Sequence, residues 1–158
     1  MFIERLSIKN LRNISQADLI LNRKTNVIVG ENAAGKTTIL EAVDILSRGK
    51  SFRTNKTESL VKKAKDELYI GAIVGEKRKK LEIYKSKSKT KIVIDEKEEK
   101  RQSALAERLA VQAIHPNSHF LIEGAPAERR AFIDWGLFHV EHQFREEFLK
   151  FNKTLKQR

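Results

Sequence analysis

Gly30 and Gly35 bracket Glu31, Asn32, Ala33 and Ala34, and Lys36, Thr37 and Thr38 follow directly. This is the G-x-x-x-x-G-K-[ST] spacing of a phosphate loop. The chemistry accounts for the residue types. A triphosphate is a dense anion that needs several donors converging on it. Glycines let the backbone turn tightly and bring its N–H groups close to phosphate oxygens. A helix that starts at the loop adds its positive end and its unpaired N–H groups. Lys36 supplies a point charge toward the β and γ phosphates. The Thr37 hydroxyl suits Mg²⁺, a hard cation that prefers oxygen ligands.

The flanking pattern fits that motif. Asn26–Val29 is a short apolar, β-branched run, which predicts a buried strand. Ile39, Leu40, Val43 and Leu46 fall at helical spacing, which predicts a helix from the loop onward. Upstream, Leu6 and Ile8 share one face of a first strand. Asn10–Asn13 makes a turn, and Ala17–Leu21 a second strand. Two antiparallel strands before the phosphate loop favour an ABC-type ATPase over small kinases and GTPases.

Downstream, Leu68–Val74, Lys80–Tyr84 and Lys91–Asp95 are expected strands. Lys85–Thr90 is too short for a helical crossover, so the last two form an antiparallel hairpin. This bears on Asp95 and Glu96, which imitate the Asp-Glu end of a second ATPase motif. A hairpin strand is the wrong place for that motif, and neither residue is assigned to catalysis. Ala131–Asp134 is a second imitation, discounted because it lies in a helical pattern. A helix is expected over Glu98–Ala110, then a buried strand over Ala110–Ile114, interrupted by Gln112. Gln112 either reaches the phosphate site or is a satisfied core residue. Pro126 sits where a helix starts. From Glu141 onward Phe144, Phe148, Phe151 and Leu155 form one apolar stripe, and the last residues read as a cut. His139 and His142 lack a third ligand, and no zinc is assigned.

The chain has 158 residues, no cysteine and a formal net charge of +11. A length of one domain is indicated, with neither a disulfide framework nor a Cys-based zinc site. The first residues do not make a signal peptide, and no run reaches transmembrane length. The charge favours polyanion partners or describes a basic solvated surface. Lys50 and Arg53 in the basic loop 48–55, and the Arg129–Arg130 pair, are the candidates for contact with nucleic-acid phosphates; a solvated surface is the alternative for each.

Ile8–Asn13, Gly30–Thr37 with Leu40–Ala42, Gly49–Thr54 and Gly124–Trp135 together resemble the N-terminal portion of the RecF family of recombination-mediator ATPases, related to the ABC and SMC families. The resemblance runs the whole length present but accounts for less than half of a family member. It implies that Arg12 and Asn13 lie near the nucleotide. It also implies that Gln112 stands at the Q-loop and senses Mg²⁺ and the γ-phosphate. The ABC signature and an acceptable second motif are missing, and in the family both come from the C-terminal portion.

The expected fold is therefore α/β: part of an ABC-type ATPase head with an antiparallel β subdomain over residues 1–125, and a helical extension from 126. By resemblance the intact protein binds ATP and Mg²⁺, forms an ATP-dependent homodimer, binds DNA and partner mediator proteins, and supports recombinase loading at gapped DNA in the cytoplasm. For this chain alone, weak nucleotide binding and negligible turnover are expected, since phosphoryl transfer depends on a complete set of positioning and charge-stabilising groups. The rivals are a small P-loop kinase, for which no acceptor site stands out, and a non-catalytic DNA-binding module.

Overall fold

The computed structural model describes residues 1–54, 56–115, 118, 120–141 and 143–156. Two compact units divide the chain, Met1–Ala113 and Ile114–Arg158, and the expected start of the helical extension at 126 falls within the second.

The first unit is built on strands whose side chains alternate in and out. They are β1 (Ile3–Leu11), β2 (Ile14–Ile20), β3 (Glu67–Val74), β4 (Lys79–Ser86), β5 (Thr90–Ile94) and β6 (Lys97–Glu99). They form one sheet in the order β2-β1-β3-β4-β5-β6, with every pair antiparallel. Leu6, Ile8, Leu68, Ile70, Leu81 and Ile83 point to one face and are buried there. Helix α1 (Lys36–Arg48) joins that core through Ala42, Ile45 and Leu46. Helix α2 (Ser103–Arg108) adds Leu105, and the Ser47 hydroxyl on α1 donates to the Leu109 carbonyl at 2.7 Å. The expected β4–β5 hairpin is present. Asp95 and Glu96 form the next turn, both with positive φ, and Asp95 Oδ1 accepts from the Lys80 N–H.

Three expectations need correction. Asn26–Val29 is not a strand, and Val27 and Val29 are 81% and 83% exposed. Nor is Ala110–Ile114, where Ile114 is 88% exposed. An apolar β-branched run becomes a strand only when a neighbour takes its backbone hydrogen bonds, and neither segment has one among the described residues. The helix expected over Glu98–Ala110 is shorter, because Glu98 and Glu99 pair with β5 as part of β6.

One buried charge on α1 makes stability depend on pH. The side chain of Asp44 is fully buried, and Arg48 Nη2 and Nε reach its Oδ1 at 2.6 and 2.9 Å. Burial raises its pKa above the ordinary 3.8, opposed by the Arg48 charge and its hydrogen bond. A raised carboxyl pKa means that the folded chain holds a proton the unfolded chain has already lost. Stability therefore falls as pH rises through the window above 3.8 and levels off past the folded pKa. Urea unfolding followed upward from that pH is expected to show this decline in the native chain and a flatter profile in Asp44→Asn.

In the second unit, described by itself, α3 (Phe120–Glu123) is followed by α4 (Pro126–Val140), with the proline in its first turn. Helix α5 (Phe144–Lys156) follows; its Phe144 and Phe148 rings stack 5.4 Å apart, and Phe151 and Leu155 are more than half exposed. His142 lies outside the described residues.

Candidate functional site

The phosphate loop runs from Gly30 into α1, and its shape follows from three left-handed residues. Gly30 has φ +154°, Ala33 +64° and Gly35 +101°. At Gly35 a side chain would also crowd Ile14 and Asn13, since an added Cβ would lie 3.3 Å from Ile14 Cγ1. Gly35 is the N-cap of α1, and no side chain caps the helix. The first N–H groups of α1 are therefore directed at whatever anion the loop receives.

Lys36 folds back over its own loop. Its ammonium donates to the carbonyls of Gly30 at 2.6 Å and Glu31 at 2.7 Å. Thr37 is exposed at the same helix end, with its hydroxyl available to a hard cation. Thr38 is buried and donates to Asn13 Oδ1 at 3.1 Å. Asn13 Nδ2 in turn donates to the Ala33 carbonyl at 2.8 Å. The turn between β1 and β2 thus holds the phosphate loop at two points.

Arg12, the other turn residue, holds the helix. Its Nε and Nη2 donate to the two oxygens of Glu41 at 2.5 and 2.7 Å, and its Nη1 donates to the Ser59 carbonyl at 3.2 Å. Glu41 is fully buried, one helical turn beyond Thr37. It also accepts from the Ser51 hydroxyl, and from Arg53 Nη1 at 3.4 Å. Arg12 keeps a positive φ of 50°, and its N–H donates to the Leu60 carbonyl at 2.7 Å. A non-glycine residue stays in that conformation only where its surroundings hold it.

These pieces line one open cleft of about 460 Å³, walled by Arg12, Asn13, residues 32–38 and Arg53. The structure therefore gathers Arg12, Asn13 and residues 32–38 around one cleft, whose lining does not include Gly30 or Glu31. Gln112 is not among the lining residues; it is exposed, and its amide donates to the Ala113 carbonyl at 3.4 Å. Of the basic candidates, Arg53 faces the phosphate cleft. Lys50 lies in a separate cavity of about 570 Å³ near the C-terminal end of α1. There Lys85 is buried and donates to the Gly49 carbonyl at 2.7 Å, its pKa pushed down by burial and then by Lys50. Arg129 and Arg130 lie on α4 in the second unit, where Arg129 Nη1 donates to the Gly124 carbonyl at 3.0 Å.

Two residues behind the cleft carry no role in the sequence motifs: Glu41, fully buried beneath it, and Ser51, which lines the separate cavity. A signal for Glu41 is present in the sequence. It falls on the same helical face as Thr38 and Ile45, the buried stripe of α1, and a carboxylate there requires donors.

Comparison with known proteins places this arrangement. The family model of the AAA ATPase domain matches residues 1–156. The chain belongs to the AAA ATPase domain family. Within it, the whole chain is similar to the N-terminal portion of RecF. The DNA replication and repair protein RecF of Pseudoalteromonas translucida is 42% identical over 161 residues, which cover 100% of this chain and 44% of that protein. That of Shewanella sediminis is 38% identical, with 100% and 45% covered. The chain thus spans under half the length of these curated relatives. Among solved structures, the recombination mediator protein RecF with ATP matches with a TM-score of 0.86 at 25% identity, over 97% of this chain and 43% of that one. A structure reported for SMC ATPases matches with a TM-score of 0.68 at 16% identity, over 85% of this chain and 99% of that one; it supports the fold alone. The α/β, ABC-type ATPase-head fold follows from these matches.

Proposed function

We propose that this chain is the phosphate-gripping part of a RecF-like ATPase that binds ATP with Mg²⁺ in the cleft between the β1–β2 turn and α1. The observation that carries this is the loop itself. Its left-handed residues, its uncapped helix N-terminus and Lys36 converge on one open space. Thr37 would hold the metal, which shields the phosphate charge when bound. Gln112 would join it only after moving from its exposed position.

Over the whole protein, this function extends to an ATP-dependent homodimer that binds DNA, works with partner mediator proteins, and supports recombinase loading at gapped DNA in the cytoplasm. Lys50, Arg53, Arg129 and Arg130 are the candidate phosphate contacts. Such contacts make DNA binding steeply salt-dependent. The resemblance of the chain to RecF and its net charge of +11 support this part.

The test is titration of a fluorescent ATP analogue into this chain with Mg²⁺, with unlabelled ATP and GTP as competitors. Binding displaced by ATP, with no steady hydrolysis, is the expected result. Steady turnover by this chain alone, abolished in Lys36→Ala, would show that the catalytic set is complete without further chain. Absence of nucleotide binding by a folded chain would remove the proposal.

A further inference from the structure

We propose that Glu41 is a positioning residue of the phosphate site, which aims Arg12 and Arg53 at the phosphates without touching them. This rests on the ATP-binding function proposed above. Glu41 is a fully buried carboxylate, and its donors come from two separate segments: Arg12 from the β1–β2 turn, and Ser51 and Arg53 from the loop after α1, which meet on the helix that opens at the phosphate loop. Both arginines also line the cleft.

Stability gives no sufficient reason for this arrangement. A buried ion pair is often no more stabilising than apolar residues of the same volume. Its distinctive property is geometric. Two N–H groups of Arg12 meet two carboxylate oxygens, which fixes the guanidinium plane as a single charge contact would not. The neighbouring Asn13 then keeps its grip on Ala33 and Thr38, so the empty loop keeps the shape its ligand needs. Glu41 also balances one of three cations at the cleft, Arg12, Lys36 and Arg53. Attraction toward a polyanion is thereby directed and not merely general.

A double-mutant cycle on nucleotide affinity tests this: the native chain, Glu41→Gln, Arg12→Met and both together, with the fluorescent ATP analogue and Mg²⁺. Each variant is assayed below its own unfolding temperature, followed by circular dichroism. Glu41→Gln is expected to weaken binding about tenfold, the order of one oriented charge-assisted contact. The double variant is expected to lose less affinity than the two single losses combined, since Glu41 acts mainly through Arg12 and for the rest through Arg53. The residual affinity of Glu41→Gln is expected to fall more steeply with salt, because the arginines then act as undirected charges. Glu41→Asp, which keeps the charge and shortens its reach, gives a smaller loss in the same direction and serves if Glu41→Gln does not fold. Native affinity in folded Glu41→Gln, or additive losses in the cycle, would overturn the inference while leaving ATP binding intact. A native chain that binds no nucleotide would overturn both.

Discussion

Lys36→Ala is expected to weaken nucleotide binding severely while leaving the fold intact. The side chain supplies the ammonium closest to the loop, and it holds the Gly30 and Glu31 carbonyls. A hydrogen bond to a charged group contributes about 1.5–3 kcal/mol, so its loss weakens binding by roughly ten- to a hundredfold. Stability should change little, because Lys36 lies at the open end of α1 and not in the core. Parallel titrations of native and variant chains with the ATP analogue, beside their urea unfolding curves, read both quantities. Retained affinity in the variant would place the nucleotide somewhere other than this loop.

The second large effect is on stability. Glu41→Ala removes a fully buried carboxylate and leaves Arg12, whose side chain is 22% exposed, facing an empty space. Breaking a buried pair from one side costs about 3–5 kcal/mol, and the solvent access of Arg12 places this case near the lower figure, about 3 kcal/mol. Arg53, at 42% side-chain exposure, turns to water at little cost. Urea unfolding measures the loss directly. Against a total stability of about 5–15 kcal/mol for a single domain, a change of this size is easily seen. A change under about 0.5 kcal/mol, the range of ordinary surface substitutions, would show that the set around Glu41 does not hold the fold.

The part of the site that uses fixed spacing was legible in the sequence. Two glycines, Lys36 and Thr37 define their own geometry, and Arg12 and Asn13 could be placed beside them by resemblance. The β4–β5 hairpin was legible too, because Lys85–Thr90 leaves no room for a crossover. Local pattern does not carry pairing. Asn26–Val29 and Ala110–Ile114 have the composition of buried strands, yet composition states only that side chains favour burial, not which backbone lies alongside. Glu98 and Glu99 were hidden for a different reason. Asp95 and Glu96 turn the chain with positive φ, where glycine or asparagine is the usual sign, so β6 reads as the start of a helix. The cluster around Glu41 is assembled from distant segments, and spacing within one segment cannot reveal it.

The folded-back Lys36 makes ligand binding an exchange. An incoming oxyanion must displace the ammonium from carbonyls it already satisfies, so the gain from that contact is a difference between two good partners. A ligand with a single phosphate offers little beyond what the loop provides for itself. Under the proposed function, tighter binding of polyphosphates than of inorganic phosphate is therefore the expected result, set by the resting Lys36 contacts before base or sugar is touched.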